Sequence, residues 1–183
     1  MTRSSIKEKY LIFRVKQNKD AEAYGQLYDF YVSRIYRFVY FKVRTKEEAE
    51  DITSEVFLKT WEYINNTNRK IDNLNALFYR VARNSVIDHY RSKQKEANIF
   101  EEEQLESIKE KRDFAKEAEI KVDVENVQKH LLKLKEIYRE VIILKYIEQF
   151  SVNEIAEILG KSKGNVRVLV HRALTALKEI AGD

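Results

Sequence analysis

Apolar residues recur at intervals of three and four along most of this chain, and no segment shows the alternation expected of a β-strand. This spacing lines apolar side chains along one face of a helix. In the stretch from Asp20 to Arg44 the predicted buried side consists of Tyr24, Leu27, Tyr28, Tyr31, Ile35, Phe38 and Val39. The cations of this stretch that are expected to reach solvent are Arg34, Arg37, Lys42 and Arg44. The pattern predicts an all-α fold.

A second helix is predicted to open at Thr45 and to run to about Ile64. Thr45 and Glu48 have the spacing of a capping box, in which each side chain accepts a hydrogen bond from the other residue's backbone N–H. The expected core residues of this helix are Ala49, Ile52, Val56, Phe57, Trp61 and Ile64. Asp51, Ser54 and Glu55 share its outer face and form an acidic strip that suits a basic protein partner. A solvated helix face explains this strip equally well.

A polar loop follows over residues 65–75 and contains five asparagines together with Arg69 and Lys70. Asparagine amides both donate and accept hydrogen bonds, so Asn68 and its neighbours can read the edge of an unpaired base. The two cations can hold the adjoining phosphates. Loops of this composition also commonly just turn the chain, and that alternative stays open.

The next helix interleaves cations and aromatic rings on its predicted exposed arc. That arc consists of Tyr79, Arg80, Arg83, Asn84, Ile87, Tyr90 and Arg91, opposite an inner arc of Leu77, Phe78, Val81, Ala82 and Ser85. Rings stack on bases and guanidinium groups neutralise phosphates, so this mixture favours binding of single-stranded or partly opened nucleic acid. In the alternative interpretation the tyrosines only pad the surface.

Residues 151–180 have the pattern of a helix-turn-helix that reads duplex DNA. Gly160 permits the positive φ that ends the first helix, and Ser162 can cap the second. The apolar stripe of the second helix consists of Val166, Leu169, Val170, Ala173, Leu174 and Leu177. Its outward residues, near the N-terminal end that enters the major groove in such motifs, include Lys163, Asn165, Arg167, His171 and Arg172. A helical hairpin with a solvated charged face is the alternative.

Charge divides the chain into two small helical domains. Residues 96–106 hold five Glu and no base, and a weakly apolar stretch follows to about Val122. Such a segment cannot bury enough surface to fold alone. The predicted domains are therefore 1–95 and 123–183, joined by a flexible acidic linker over 96–122. This linker is either a solvated spacer or an anion that imitates nucleic acid in a basic channel of a partner.

Composition excludes several kinds of site. The chain of 183 residues has a net charge of +4, no cysteine and three scattered histidines, so neither a disulfide framework nor a metal site is expected. The sequence contains no glycine-rich phosphate loop and no clustered metal ligands, so we expect no catalytic residues and no cofactor. No apolar run has membrane-spanning length and no signal sequence is visible, so we expect no membrane insertion and a cytoplasmic location.

Three motifs in this order resemble the extracytoplasmic-function (ECF) sigma factors of the sigma-70 family. They are AEDITSEVFLKTWEYI, LFYRVARNSVIDHYRSK and LLKLKEIYREVIILKYIEQFSVNEIAEILGKSKGNVRVLVHRALTALK, with an acidic linker before the third. The likeness covers roughly residues 11–178. It implies a non-enzymatic promoter-specificity subunit whose partners are core RNA polymerase and promoter DNA. Members of this family are commonly held inactive by an anti-sigma factor, which the resemblance adds to the candidate partners.

The resemblance also implies roles for particular residues. The residues implied to dock on the polymerase clamp are Asp51, Ser54, Glu55 and Phe57. Those implied to recognise and open the minus-ten element are Asn68, Arg69, Arg80, Arg83, Asn84, Asp88 and Arg91. Those implied to read the minus-thirty-five element are Lys163, Asn165, Arg167, His171 and Arg172. The alternative function is a stand-alone helix-turn-helix regulator that binds an operator without polymerase.

Overall fold

The computed structural model describes residues 3–100 and 118–182, and this part of the chain is helical with no β-strand. The first four helices form the N-terminal domain: α1 (Arg3–Asn18), α2 (Ala21–Tyr40), α3 (Lys46–Asn66) and α4 (Leu74–Phe100). The other four form the C-terminal domain: α5 (Ala118–Lys133), α6 (Glu136–Ile142), α7 (Val152–Leu159) and α8 (Lys163–Ala181). A π-helical turn, Ile143–Ile147, extends α6. The all-α prediction is confirmed.

Aromatic rings on α2, α3 and α4 form the centre of the N-terminal domain. Tyr31 stacks on Phe78 with ring centroids 4.5 Å apart, and Phe57 lies 5.2 Å from the same ring. Phe38 is fully buried and meets Tyr79 edge to face at 5.1 Å. Most of the predicted core of α2 and α3 is buried, whereas Tyr28 remains 43% exposed. Burial of aromatic side chains therefore contributes much of the stabilisation that holds these helices together.

Helix α1 covers the outer side of α2 and α3, a role that the sequence patterns above do not predict. Leu11, Ile12 and Val15 are its buried residues, and their spacing gives one apolar face. Arg14 joins α1 to the start of α2 through Asp20, with Nη2 and Oδ2 2.7 Å apart. Asp20 in turn caps α2 by accepting a hydrogen bond from the Ala23 N–H.

The predicted capping box at the start of α3 is present. Thr45 Oγ1 accepts from the Glu48 N–H, and Glu48 Oε2 accepts from the Thr45 N–H. The Glu48 carboxylate also binds Lys93 and lies 3.3 Å from His89 Nε2, so it ties α3 to α4. Burial by itself raises the pKa of Glu48, but these cationic and N–H partners outweigh it and hold the pKa at about 2.

Replacing Glu48 with glutamine is expected to lower the free energy of unfolding by about 1–2 kcal/mol at pH 7, since the variant loses the charge that Lys93 and His89 recognise. The folded pKa lies below the ordinary value of 4.5, so the wild-type advantage is present above pH 4.5 and disappears as the pH falls towards about 2. Urea unfolding of both proteins across this range measures it. Glu47→Gln, on the exposed side of the same turn, is the matched control. A wild-type advantage that persists unchanged at pH 3 contradicts the assignment.

The C-terminal domain is organised by capped short helices. Ser151 and Glu154 form a second capping box at α7, and Gly160 ends that helix with φ of +62°. Ser162 then caps α8 by accepting from the Asn165 N–H at 3.2 Å. Ile155 on α7 and Val166 on α8 are fully buried and hold the two helices together. The predicted helix-turn-helix is therefore present, with its glycine and its cap in the expected roles.

The predicted linker, residues 96–122, lies partly outside the described residues. Helix α4 continues past its expected end to Phe100, and α5 begins at Ala118, so both ends of the predicted linker are helical. Residues 101–117 are not described. The domain boundaries 1–95, 96–122 and 123–183 stay a prediction, with helical structure reaching five residues into each end of the linker range.

The two domains lie against each other. Their buried residues form one continuous cluster, in which Phe150 of the C-terminal domain meets Tyr79 of α4 edge to face at 4.9 Å. Gln128 on α5 donates to the backbone carbonyls of Tyr40 and Val43 at 2.7 and 3.0 Å. Helix α7 also packs against α4. This arrangement places parts of the C-terminal domain beside the residues that were predicted to bind opened DNA.

Candidate nucleic-acid interface

The outer face of α8 carries all the residues predicted to read the minus-thirty-five element. Each is exposed on the first three turns of the helix, and the set is Lys163, Asn165, Arg167, His171 and Arg172. Val168 is 48% exposed among them and offers an apolar surface of the kind that contacts a thymine methyl group. Val166 and Ala173 are buried on the opposite side. The helix therefore exposes cations and an amide on one side, while its opposite side is packed against the rest of the domain.

The loop between α3 and α4, residues 67–73, exposes Asn68 and Arg69. Asn73 caps α4 through its side-chain oxygen, which accepts from the Ala76 N–H at 3.0 Å. The Asn73 amide nitrogen donates to Glu157 of α7 at 2.8 Å. A cleft of about 180 Å³ lies here and is lined by Tyr63, Lys70, Ile71, Asp72, Asn73, Leu77, Arg80 and Glu157. The loop thus forms a polar recess one wall of which belongs to the C-terminal domain.

The predicted exposed arc of α4 is partly wrong. Arg80, Asn84, Asp88 and Arg91 are exposed, as expected. Tyr79 is instead fully buried, and its hydroxyl donates to Glu148 at 2.6 Å. Burial and then the Glu148 charge raise the pKa of Tyr79, so the phenol stays protonated. Tyr90 is half-buried and donates to the Lys42 carbonyl, so neither ring is a free stacking surface.

The acidic strip on α3 is exposed as predicted, but one residue of the implied polymerase-docking set, Phe57, is not. Asp51, Ser54 and Glu55 are exposed on one face, and Glu55 pairs with Lys59 at 2.6 Å. Phe57 is only 5% exposed and packs against the rings of the core, so it is not available for a polymerase contact. Leu58 is the exposed apolar residue of this strip, at 59%. Leu58 lies seven residues, or about two helical turns, after Asp51, and this spacing places both residues on the same face of α3. The spacing is a signal in the sequence that could have identified Leu58.

Two buried carboxylates of the C-terminal domain are bound by cations of the N-terminal domain. Glu148 lies 2.7 Å from Arg37 Nε and 3.7 Å from Arg34 Nε. Glu140 lies 3.1 Å from Lys42 Nζ and 3.0 Å from Arg83 Nε. Both carboxylates are at most 1% exposed, which makes these contacts much less screened by salt than surface pairs.

The prediction that Lys42 reaches solvent is wrong. Its ammonium group is buried against Glu140 and lies 5.0 Å from the centroid of the Phe38 ring. Burial lowers the pKa of Lys42, and the Glu140 charge opposes that shift. The Lys42 carbonyl oxygen accepts from Tyr90 and from Arg139. Arg34 and Arg37 keep partial exposure but are engaged by Glu148, which raises the pKa of Arg37.

Two further properties bear on the kind of site. Among the residues that the structure describes, no three histidine, aspartate or glutamate side chains converge as metal ligands would. None of the described helices combines the length and the apolar character needed to cross a bilayer.

Two family models match separate parts of the chain. The model of sigma-70 region 2 matches residues 27–96, and the model of sigma-70 region 4 matches residues 125–177. The ECF RNA polymerase sigma factor SigW of Bacillus subtilis is 34% identical over 182 residues, which cover 93% of this chain and 96% of SigW. BldN, an ECF RNA polymerase sigma factor of Streptomyces coelicolor, is 30% identical over 169 residues. That alignment covers 91% of this chain but only 63% of the length of BldN.

Two solved structures share the fold. CnrH, in complex with the cytosolic domain of CnrY, superposes with a TM-score of 0.73 at 21% identity, covering 96% of this chain and 97% of CnrH. The sigma factor RpoE from Bartonella quintana, solved with the anti-sigma factor NepR, gives a TM-score of 0.68 at 22% identity, covering 86% of this chain and 96% of that one. Both likenesses concern the fold. The two matched regions and the near full-length match to SigW lead to one conclusion: this chain belongs to the ECF sigma factors of the sigma-70 family.

Proposed function

We propose that this chain binds core RNA polymerase, recognises the minus-ten and minus-thirty-five promoter elements, and initiates transcription. The observation that supports the proposal is the presence of two separate exposed surfaces that carry cations and amides, one in each of the two matched regions. One is the outer face of α8, and the other is formed by residues 67–73 with the exposed side of α4. A duplex reader and a surface suited to unpaired bases are the two parts that promoter opening requires.

In the proposed complex α8 enters the major groove at the minus-thirty-five element. Arg167 and Arg172 suit guanine edges or phosphates, and Asn165 suits adenine. Lys163 lies at the first turn, where it can hold a phosphate beside the groove. His171 completes the exposed face. Phosphate contacts supply affinity that falls with salt, while the base contacts supply sequence choice.

The minus-ten element is proposed to bind the loop and α4. Asn68 and Arg69 are exposed on the loop, and Arg80 and Asn84 are exposed on the adjoining face of the helix. The wider set includes Arg83, Asp88 and Arg91. Capture of an extruded base in the polar cleft can offset an unstacking cost of a few kcal/mol without hydrolysis. With Tyr79 and Tyr90 engaged elsewhere, amide and guanidinium groups carry more of this recognition than rings do.

The clamp of the polymerase is proposed to bind the strip on α3. Asp51, Ser54 and Glu55 provide polar contacts, and Leu58 replaces Phe57 as the apolar contact. Tethering by the polymerase fixes the separation of the two DNA-binding domains. Each can then bind weakly alone and still act specifically in the complex, because the second binding event becomes intramolecular.

Alanine substitution of Arg80 together with Asn84 is expected to reduce open-complex formation by at least about tenfold, since each contact is worth on the order of 1 kcal/mol. Both side chains are exposed, and neither takes part in the ion pairs described between the domains. Run-off transcription and permanganate footprinting with core polymerase measure the effect, on a promoter identified by transcription-start mapping after overproduction.

Lys133→Ala, an exposed cation on the last turn of α5, is the matched control. The double variant should bind core polymerase as well as the wild type does, because α3 is untouched. Normal opening by the double variant removes this surface from the proposal. A wild-type chain that never associates with core polymerase refutes the proposed function as a whole.

The remaining expectations follow from the same proposal. Polymerase performs the nucleotide chemistry, so the chain itself is proposed to be non-enzymatic and to work in the cytoplasm. An anti-sigma factor is a further proposed partner, as NepR is for RpoE of Bartonella quintana. The stand-alone regulator is not favoured, because residues 27–96 match region 2 and an operator-binding protein has no need of it.

A further inference from the structure

One residue assigned to the minus-ten element carries a charge that opposes a DNA contact. Asp88 lies on the exposed side of α4, and the other six residues of that set are amides or cations. The phosphates of a DNA strand are anionic, so a free carboxylate beside them weakens binding. The structure gives Asp88 two cationic neighbours, since Oδ1 lies 4.0 Å from Arg91 Nη1 and Oδ2 lies 4.0 Å from Lys59 Nζ. These neighbours indicate that Asp88 acts on other side chains rather than on DNA.

Lys59 belongs to α3 and reaches across to α4. Its Nζ lies 2.6 Å from Glu55 Oε1 on its own helix and donates to Ser85 Oγ on α4 at 3.3 Å. Asp88 is the third group beside the same ammonium. Glu55 belongs to the strip proposed to bind the polymerase clamp, whereas Asp88 belongs to the face proposed to bind opened DNA. Lys59 therefore connects the two proposed binding surfaces.

The two carboxylates beside Lys59 are unequal partners. Glu55, at 2.6 Å, makes a charge-assisted hydrogen bond, while Asp88, at 4.0 Å, lies beyond hydrogen-bond distance. Ser85 is fully buried, so the bond to its hydroxyl holds the ammonium beside α4. From this position a short movement of the ammonium exchanges Glu55 for Asp88. The charge of Asp88 is therefore only partly compensated while Lys59 stays with Glu55.

The exposure of these groups allows such an exchange. The side chains of Lys59 and Glu55 are 40% and 44% exposed, and that of Asp88 is 59% exposed. Ion pairs at this exposure contribute little to folding stability, because water and salt compensate each charge nearly as well. A cation of a partner protein can then take Glu55 from Lys59 without disturbing the core. A buried pair such as Lys42 with Glu140 does not change partners so easily.

We propose that Lys59 is a positioning residue that couples polymerase binding on α3 to strand binding on α4. A basic group of the clamp binds Glu55, and Lys59 then turns to Asp88. The ammonium compensates that carboxylate and releases Arg91 for a backbone phosphate of the minus-ten strand. This inference rests on the proposed function for the identity of both surfaces. It gives a role to a residue that itself contacts neither polymerase nor DNA.

A coupling of this kind acts in both directions. If polymerase raises the affinity of α4 for a strand, a bound strand raises the affinity of α3 for polymerase by the same factor. The two-state element is the ammonium of Lys59, which is bound either to Glu55 or to Asp88. Because these ion pairs are exposed, we expect a factor of about three to five. It should become smaller at high salt, since salt screens exposed charges.

A suppression experiment on the assembled complex with core polymerase tests the role of Asp88. Lys59→Gln should weaken binding of a fork-junction promoter fragment by about three- to fivefold, because Asp88 is then left uncompensated. Adding Asp88→Asn to this variant should restore most of the affinity, since the repelling charge is gone. Lys59→Arg keeps the cation and should bind more tightly than Lys59→Gln. Fluorescence titration of the fragment at saturating polymerase measures all these affinities.

A second experiment measures the coupling itself. The chain contains no cysteine, so a dye on the exposed position of Glu179→Cys reports the titration with core polymerase. A single-stranded minus-ten oligonucleotide should tighten polymerase binding to the wild type, and Lys59→Gln should reduce this gain by about three- to fivefold. A scrambled oligonucleotide controls for general charge effects. A purely structural role of Lys59 would change polymerase binding equally with and without the oligonucleotide.

Lys46→Gln is the matched control. Lys46 is an exposed cation on α3 that pairs with Glu50 at 3.3 Å and at i,i+4 spacing, so its ion pair stays within one helix. This variant should leave both measurements unchanged. The proposal is overturned if Lys59→Gln, with native helix content, loses affinity that Asp88→Asn does not restore. It is also overturned if Lys59→Gln keeps the full effect of the oligonucleotide on polymerase binding.

The wild-type measurements separate this inference from the proposed function. A wild-type chain that binds neither core polymerase nor the promoter fragment refutes the proposed function and this inference with it. If the wild type binds both and the Lys59 variants behave as the wild type does, only the coupling is wrong.

Discussion

Alanine at Phe38 is expected to lower the free energy of unfolding of the N-terminal domain by about 3–5 kcal/mol, the range for deleting a fully buried aromatic ring. Phe38 has no exposed surface and contacts the Tyr79 ring edge to face at 5.1 Å. Its ring also lies beside the Lys42 ammonium. The loss is a large share of the 5–15 kcal/mol typical of a domain. Thermal unfolding followed by circular dichroism should show it as a fall in Tm of many degrees.

Phe30→Ala is the matched control, because Phe30 lies on the same helix but is 49% exposed. Its ring contacts Lys7 at the surface, and its loss should cost less than about 1 kcal/mol. Phe38→Leu should fall between the two, since it keeps part of the buried volume. Equal shifts for Phe30→Ala and Phe38→Ala would show that the aromatic core does not carry the stability assigned to it.

Alanine at both Arg167 and Arg172 is expected to reduce transcription from the cognate promoter by about a hundredfold, because each base or phosphate contact contributes on the order of 1–3 kcal/mol. Both side chains are exposed on α8 and bind no other group that would be needed for folding. Residual transcription should no longer respond to substitutions in the minus-thirty-five element. Run-off transcription on promoters with native and scrambled elements measures both effects.

Lys178→Ala removes a cation from the last turn of the same helix and should leave transcription nearly unchanged. Core polymerase binding should be preserved in both proteins, since the strip on α3 is intact. If the variant that lacks both arginines still prefers the native minus-thirty-five element, α8 does not read that element.

Local patterns were sufficient to predict the capped turns. Thr45 with Glu48 and Gly160 with Ser162 act through backbone groups a few residues away, so their roles can be read from spacing alone. The outward face of α8 was equally predictable, because the apolar stripe on its other side leaves little choice. The face of α3 was also predicted: periodicity placed Phe57 in the core, where its ring contacts Tyr28 and Phe78, and only the family resemblance assigned it to the polymerase contact.

The errors concern residues whose surroundings come from distant parts of the chain. Tyr79 and Lys42 were expected at the surface because a prediction from periodicity considers each helix alone and assumes that its polar side faces water. Each is buried by a partner about 70 to 100 residues further along: Glu148 for Tyr79 and Glu140 for Lys42. A pairing over that separation leaves no local signal in either helix. The surface proposed to bind opened DNA therefore contains fewer exposed residues than the periodicity of α4 predicts.

The ionic character of the contact between the domains has a consequence for how the protein responds to warming. Hydration of charged groups becomes less favourable on warming, so the desolvation cost of burying Glu140 and Glu148 falls as the temperature rises, whereas apolar attraction per unit area levels off. Warming should thus weaken this contact less than it weakens the aromatic core beneath it. Mild heating should therefore loosen the interior of the N-terminal domain before it separates the two domains.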